Sequence, residues 1–320
     1  MKIVVGPNAI GLERVVGQLQ REFPQHEVIL AQQPELFRQE LADADILWGS
    51  CNRAEFLAAP KLRWVQAPST GVNGFMAIPE FVAGDVLLSN ASGTHGNSLA
   101  DHTMALILAH TRGLTTSFRR QQEHAWASRE LRNYLLELTD ATLGIVGFGV
   151  IGRTIAKRAA AFDMRILAVD IIRGQVPAYV KRLDSLEELP AMLAESDYVA
   201  VTVPYTPDTL GLIGERELAQ IKPGAFLVGV SRGGVIDEDA LVAALRSGHL
   251  VGAALDVCAV EPLPAESELW DAPNLIITPH TAGGSQFELE RLYATFTANI
   301  RRFERGELPL INQIDKVRGF

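Results

Sequence analysis

Short apolar runs alternate with amphipathic stretches along almost the whole chain. In the first third, Lys2–Val5, Glu27–Leu30, Asp45–Trp48, Leu62–Gln66 and Val86–Leu88 read as strands. Helical spacing fills the gaps: Ile10, Leu12, Val15, Val16 and Leu19 recur on one face, and Pro34–Leu41 and Arg53–Ala58 follow as shorter helices. Strand runs that are apolar throughout, rather than every second residue, belong to parallel sheets covered on both faces. The alternation therefore predicts a βα domain with a parallel sheet. After the polar crossover SNASGTHGN, a natural hinge or boundary, Ser98–Arg112 is a strong helix. Its apolar positions, Leu99, Met104, Leu106, Ile107 and Leu108, cover more than one face, which predicts burial between domains or against another subunit. Leu114–Leu138 carries charge, Trp126 and Tyr134, and reads as partly exposed.

A second alternation starts at Thr142. The run Leu143–Val146 leads into Gly147, Gly149 and Gly152 in the order G-x-G-x-x-G, then into a helical face of Ile151, Ile155, Ala159 and Phe162. The run Ile166–Val169 ends in Asp170. The first glycine permits a tight strand-to-helix turn, the second lets backbone approach a pyrophosphate, and the third lets helix and strand pack closely. Phosphates then meet free N–H groups at the positive end of the helix dipole. A carboxylate at the tip of the next strand accepts the adenosine ribose hydroxyls. Dinucleotide binding follows, with NAD favoured: Arg173 tolerates a 2′-phosphate, but Asp170 repels one, leaving NADP as the alternative. Further helices are expected over Leu186–Ala194, Glu215–Gln220, Glu238–Ser247 and Ser285–Arg305, and strands over Tyr198–Val203, Ala225–Val230, Gly252–Val257 and Leu275–Thr278. The tail Leu308–Phe320 is expected to fold back on the N-terminal domain.

At 320 residues the chain is long for one core and suits two domains. A net charge of −9 argues against a nucleic-acid or anionic-membrane partner. Two cysteines, Cys51 and Cys258, make no metal or disulfide pattern and fit a reducing cytosol. The opening MKIVVGPNAI reads as a strand rather than a signal peptide, and LADHTMALILAH is interrupted by Asp101, His102 and His110.

Three strand ends beyond the glycines finish in groups that chemistry can use. VGVSRGGVID places Arg232 past a strand, ALDVCAVEPLP carries Asp256 and Glu261, and IITPHTAG carries His280. All fall on the C-terminal side of the strands, where open α/β sheets bind ligands. Arg232 offers a bidentate fork to carboxylate and carbonyl oxygens. An imidazole titrates near neutrality and can give or take a hydroxyl proton, and Glu261 can bond its far nitrogen and fix the tautomer. Each residue alone has an ordinary reading as a surface ion pair, solvated turn or exposed loop; the triplet together fits hydride transfer to a 2-oxo acid. His102, His110, His124 and His249 have no comparable setting, and His95 keeps only a minor claim. In the first domain, Ser69–Gly74 could present backbone N–H groups to an anion, or form a plain surface turn.

The chain resembles the D-isomer-specific 2-hydroxyacid dehydrogenases over nearly its whole length. VGFGVIG, PYTPDTLGLI, SRGGVIDEDAL, ALDVCAVEPLP and LWDAPNLIITPHTAG carry the likeness. The resemblance implies two doubly wound parallel-sheet α/β domains: a flavodoxin-like substrate domain over 1–97 and 284–320, and a Rossmann cofactor domain over 98–283. It implies Arg232 as the substrate-binding and catalytic arginine, His280 as acid/base and Glu261 as its partner. Cofactor contacts are implied at Gly147, Gly149, Val150, Ile151, Gly152, Asp170, Thr94, Val203, Pro204 and Gly283, with Asp256 near the nicotinamide carboxamide. Substrate contacts are implied at Ser69, Thr70, Gly71 and Val72, whose amides hold a carboxylate. A cytoplasmic homodimer built around 97–112 is implied as well.

There are departures. Gly229 stands where many relatives have Asn, and Cys258 where Phe is common. Phosphoglycerate dehydrogenases often carry an arginine where this chain has Gln66-Ala67-Pro68, and they have an extra regulatory domain; formate dehydrogenases use a glutamine in place of Glu261. The expected activity is NADH-dependent reduction of glyoxylate or hydroxypyruvate to the D-hydroxy acid. The alternatives are phosphoglycerate or a bulkier 2-oxo acid, or an NAD-sensing dimeric corepressor.

Overall fold

A computed structural model of the chain describes residues 1–8, 10–172 and 174–319. The chain folds as two units, Met1–His95 with Ser285–Phe320, and Gly96–Gly284.

In the first unit, strands β1 (Lys2–Val5), β2 (Glu27–Leu30), β3 (Ile46–Trp48), β4 (Trp64–Gln66) and β5 (Leu87–Ser89) form one sheet in the order β2-β1-β3-β4-β5, every pairing parallel. This is the flavodoxin-like order. Alternate residues feed two cores, with Ile3 and Val5 on one face and Val4 on the other. That is why the strands read as unbroken apolar runs. Helices α1 (Glu13–Glu22), α2 (Pro34–Leu41), α3 (Arg53–Leu57), α4 (Asn73–Met76) and α5 (Pro79–Ala83) connect the strands. The C-terminal helix Glu288–Glu304 lays Leu292, Phe296 and Ile300 on the β1 face, where Phe296 stacks on Trp48 at 4.2 Å. The tail that follows pairs with β5: Ile314 N–H donates to the Leu88 carbonyl at 2.8 Å, and Lys316 Nζ reaches the Phe81 carbonyl at 2.7 Å.

In the second unit, helices α6 (Gly96–Thr111), α7 (Leu114–Gln122) and α8 (Ser128–Arg132) precede strand β6 (Thr142–Val146). Helix α9 (Val150–Ala160) and strands β7 (Arg165–Val169) and β8 (Val180–Asp184) follow. Helix α10 (Leu189–Glu195), β9 (Tyr198–Val201), α11 (Glu215–Gln220), β10 (Phe226–Gly229), α12 (Glu238–Arg246), β11 (Gly252–Leu255) and β12 (Leu275–Ile277) complete the unit. Seven parallel strands run β12-β11-β10-β9-β6-β7-β8, the doubly wound Rossmann order with one added strand. The winding reverses between β6 and β9, so the glycine loop after β6 opens at the switch point.

Several expectations shift. Strand β8 was not expected, because only Val180 is buried while Lys181, Arg182 and Asp184 give no apolar run. The short helices α4 and α5 also lacked a periodic signal. Helix α9 stops at Ala160, so Phe162 sits in the following turn, more than a third exposed. The stretch from Leu186 opens as a 3-10 turn and becomes α-helical only at Leu189, where Pro190 occupies the first turn and its missing N–H is harmless. The apolar positions of α6 are spent inside this unit: Leu99, Met104, Leu106 and Ile107 are buried with Ile145, Ile155 and Phe226. The exposed apolar groups lie further on, with Phe118, Trp126 and Tyr134 all more than half exposed.

Candidate active site

Because every strand of the second unit is parallel, the residues after β6, β7, β9, β10, β11 and β12 all emerge on one edge of the sheet. The glycine loop is built as its spacing requires. Gly147 has φ +93°, and Gly152 packs so closely that a Cβ there would lie 2.2 Å from the Gly147 carbonyl oxygen. A Cβ at Gly149 would meet nothing within 4 Å, so the space above it is open to a ligand. The amides of Val150 and Ile151, at the start of α9, have no acceptor among the described residues. Asp170 turns its carboxylate back on this loop, accepting from Phe148 N–H at 2.5 Å and Ile172 N–H at 2.7 Å. Val203 borders Gly147, and Thr202 donates to the Gly147 carbonyl at 2.7 Å. Open space over a glycine, free amides at a helix start and a carboxylate at the next strand tip fit a dinucleotide. Arg173 lies outside the described residues.

Further along the same edge, Gly233 lets the loop after β10 lie directly on the loop after β11; a Cβ there would fall 1.9 Å from the Cys258 carbonyl oxygen. The contact brings Arg232 and Glu261 within electrostatic reach. Arg232 is partly buried and donates from Nη1 to its neighbour's carbonyl, Ser231, at 2.7 Å. No carboxylate pairs with it among the described residues. Burial pushes its guanidinium down and the Glu261 charge pulls it back up. A partly desolvated arginine with donors left over suits an anionic oxygen.

Glu261 and His280 are brought into contact, with Nδ1 of His280 2.6 Å from Glu261 Oε2. The other oxygen of Glu261 accepts Cys258 N–H at 2.9 Å. Burial opposes ionisation of Glu261, but the His280 and Cys258 hydrogen bonds prevail, and its carboxyl is held below the usual carboxylate range. An ionised Glu261 accepts, so Nδ1 of His280 carries hydrogen and Nε2 is directed away, with no partner among the described residues. Burial pushes the thiols of Cys258 up to about 11 and Cys51 up to about 12, which removes thiolate chemistry near neutral pH.

The remaining expected residues fall as follows. Asp256 is 2% exposed and spends its carboxylate inside the unit, accepting Thr278 Oγ1 at 2.6 Å, Thr281 N–H at 3.0 Å and Ala282 N–H at 3.0 Å. Gly283 closes that turn, its carbonyl accepting Ser98 Oγ at 2.8 Å. Pro204 follows β9, its carbonyl accepting Thr209 Oγ1 at 2.6 Å. Thr94 is buried in the first unit, its carbonyl taken by Arg291 Nη1 at 3.1 Å. Ser69, Thr70, Gly71 and Val72 form the turn after β4, pinned by Asn90 Nδ2 on the Thr70 carbonyl at 2.7 Å. His102, set aside on sequence grounds, lies 3.0 Å from Thr278 Oγ1 and 3.6 Å from the Asp256 carboxylate. Nothing in the pattern of α6 marks it, since the contact joins residues 176 positions apart. At Gly229, a Cβ would lie 2.8 Å from Ile236 and 2.9 Å from Leu255, so these side chains occupy the room that any larger residue would need here.

A nucleotide cradle and an arginine beside a carboxylate–imidazole pair, all on one sheet edge, define a class: dinucleotide-dependent dehydrogenases acting at a carbonyl or hydroxyl carbon. The family profile described as D-isomer specific 2-hydroxyacid dehydrogenase, NAD binding domain, matches residues 104–282. The glyoxylate reductase of Korarchaeum cryptofilum is 37% identical over 270 residues, 82% of this chain and 80% of that protein. The D-3-phosphoglycerate dehydrogenase of Mycobacterium bovis is 34% identical over 89% of this chain, which spans only 52% of that protein's length. Among solved structures, the NADPH-dependent glyoxylate/hydroxypyruvate reductase of Sinorhizobium meliloti, in complex with NADP and sulfate, is similar over 100% of both chains, with TM-score 0.87 and 30% identity. The chain belongs to the D-isomer specific 2-hydroxyacid dehydrogenase family.

Proposed function

We propose that this chain is an NAD(P)-dependent reductase of small 2-oxo acids, yielding the D-2-hydroxy acid, with glyoxylate and hydroxypyruvate as preferred substrates. The observation that carries the reading is the Glu261–His280 hydrogen bond beside a partly buried Arg232 that has no carboxylate partner among the described residues. When bound, the reduced nicotinamide supplies a hydride to the carbonyl carbon. His280 gives the carbonyl oxygen a proton from Nε2, while Glu261 holds the Nδ1 hydrogen and stabilises the ring's charged form. Arg232 binds carboxylate and carbonyl oxygens with its fork and stabilises charge developing on the oxygen. The amides of Ser69–Val72 hold the substrate carboxylate. Val150 and Ile151 N–H take the pyrophosphate, and Asp170 takes the ribose hydroxyls and favours NADH over NADPH.

The segment Gln66-Ala67-Pro68 offers no cation for a phosphorylated substrate, which supports small uncharged side groups. Exposed Phe118, Trp126 and Tyr134 beside α7 and α8 support a homodimer built through this region. Among the described residues no helix is long and apolar enough to cross a membrane. The two free cysteines, Cys51 and Cys258, support a cytoplasmic setting.

The test is oxidation of NADH and NADPH followed at 340 nm with glyoxylate, hydroxypyruvate, pyruvate, phenylpyruvate and 3-phosphohydroxypyruvate. Fastest turnover is expected with the first two, and with NADH. Silence across the panel, with NADH still bound, would replace the reductase reading with that of a nucleotide sensor.

A further inference from the structure

A polar cluster behind His280 is not used by the mechanism above. His280 adopts a left-handed backbone, φ +54°, and its N–H donates to the carbonyls of Asp256 at 2.8 Å and Thr278 at 3.0 Å. The next two amides, of Thr281 and Ala282, go to the two oxygens of the Asp256 carboxylate. The turn that carries His280 is therefore folded around a carboxylate whose side chain is 1% exposed. Such a group is costly to bury unless its hydrogen bonding is completed.

Thr278 completes it, and helix α6 orients Thr278. Thr278 Oγ1 lies 2.6 Å from Asp256 Oδ1 and 3.0 Å from His102 Nε2. A threonine hydroxyl has one hydrogen, and an ionised carboxylate can only accept. The hydrogen of Thr278 therefore points to Asp256, and the donor in the other contact is His102 Nε2. That same N–H sits 3.6 Å from the Asp256 oxygen, and His102 is the basic side chain paired with Asp256 among the described residues. Ser98, one turn earlier on α6, donates to the carbonyl of Gly283 and grips the far end of the turn.

We infer that His102 is a positioning residue for His280: by donating to the Thr278 oxygen it fixes that hydroxyl on Asp256, and so holds the His280 turn in one conformation against Glu261. The inference rests on the reading of His280 as the proton donor. An imidazole displaced by about 1 Å loses on the order of 10²-fold in rate, even with the glycine loop intact.

The test uses the full chain with NADH and glyoxylate. His102→Leu removes the donor and keeps bulk, and His102→Gln restores an N–H donor. Thr278→Val removes the relaying hydroxyl, and Thr278→Ser keeps it. The Leu and Val variants are expected to lose about 10²-fold in kcat, while the Gln and Ser variants recover at least about 10-fold of that loss. NADH affinity, read by fluorescence titration, stays within about 3-fold throughout, because the glycine loop is untouched. Ring nitrogen NMR of the wild-type chain is expected to show His102 protonated on Nε2. Wild-type kcat in both His102→Leu and Thr278→Val overturns the inference, as does an unprotonated Nε2 on His102. So does equal loss in Leu and Gln accompanied by lost NADH affinity, which marks a merely structural role. If His102→Leu lacks a cooperative thermal transition, the Val and Ser pair at position 278 decides. A wild-type chain silent with every 2-oxo acid instead overturns the reductase reading itself, and this inference with it.

Discussion

The two sheets of this molecule share a winding plan but treat the residues beyond their strands in opposite ways. In the first unit the positions following β1 to β5 are Gly6, Ala31, Gly49, Ala67 and Asn90, none of them ionisable. Around the end of β4 the polar groups form a closed network. Gln66 uses both amide hydrogens, on the Ala67 and Asn90 carbonyls, and its oxygen accepts from Ser89 and Asn299. Asn299 in turn grips the backbone of Ile311 with both ends of its side chain. In the second unit Asp170 and Asp256 follow their strands directly and Arg232 and His280 lie three residues beyond theirs, and two of these keep hydrogen-bonding groups with no partner among the described residues: donors of Arg232 and Nε2 of His280. A satisfied buried network holds a fold in one state; an unsatisfied one holds a place for something else. Polarity alone does not mark a site, and neither does a lone unused hydrogen bond, since the buried indole N–H of Trp48 at the end of β3 also lacks a partner among the described residues. Ionisable groups gathered with unused hydrogen bonds do.

That contrast can be attacked directly. The largest effect is expected at an open valence: His280→Ala should lower kcat by about 10³-fold, roughly 4 kcal/mol of barrier, with NADH binding retained. Steady-state kinetics alongside fluorescence titration checks it, and parallel loss of both would mean the turn had collapsed rather than that a proton donor had gone. Next comes a break in the closed network. Asn299→Leu strands both backbone groups of Ile311 and takes one of the two hydrogen bonds from the Gln66 oxygen, and should cost about 3 kcal/mol in chemical denaturation while kcat per folded molecule stays unchanged. A comparable loss of kcat would show that the two regions are not divided as described.

The smallest effect sharpens the picture by charge alone. Glu261→Gln keeps the shape of the pair and removes its negative charge. Glu261 is held below the usual carboxylate range, so it is ionised across neutral pH and its hold on His280 fades only as pH falls through that lowered value. Without the charge, the hydrogen on Nδ1 of His280 loses its ionised acceptor, and kcat at neutrality should fall by about 10-fold. The wild-type rate should also fall as pH drops through the lowered Glu261 value, a limb that the Gln variant lacks. The same acid limb in both would remove Glu261 from the proton economy of the site.

Much of this architecture was legible because burial on both sheet faces writes itself as unbroken apolar runs. Leu143–Val146 and Ile166–Val169 announce their strands, and the glycines between them announce a loop whose close contacts the structure shows at Gly152. Arg232, Glu261 and His280 drew attention because each follows such a run. Strand β8 escaped because an edge strand carrying Lys181, Arg182 and Asp184 has little apolar content. His102 escaped for a different reason. Its partners are made neighbours only by the packing of α6 in this unit, and a lone histidine on a largely buried helix carries no local signature. Periodicity reports which face is buried, not which buried polar groups find each other.

The left-handed backbone at His280 sets selection for foldedness against selection for turnover. A side chain other than glycine resists that conformation by about 1–2 kcal/mol, less for residues such as histidine or asparagine that hydrogen-bond locally. A library of this chain sorted only for thermal survival would therefore enrich glycine and asparagine at position 280. Its most robust members would be inert, and the winning sequences would give no hint of why.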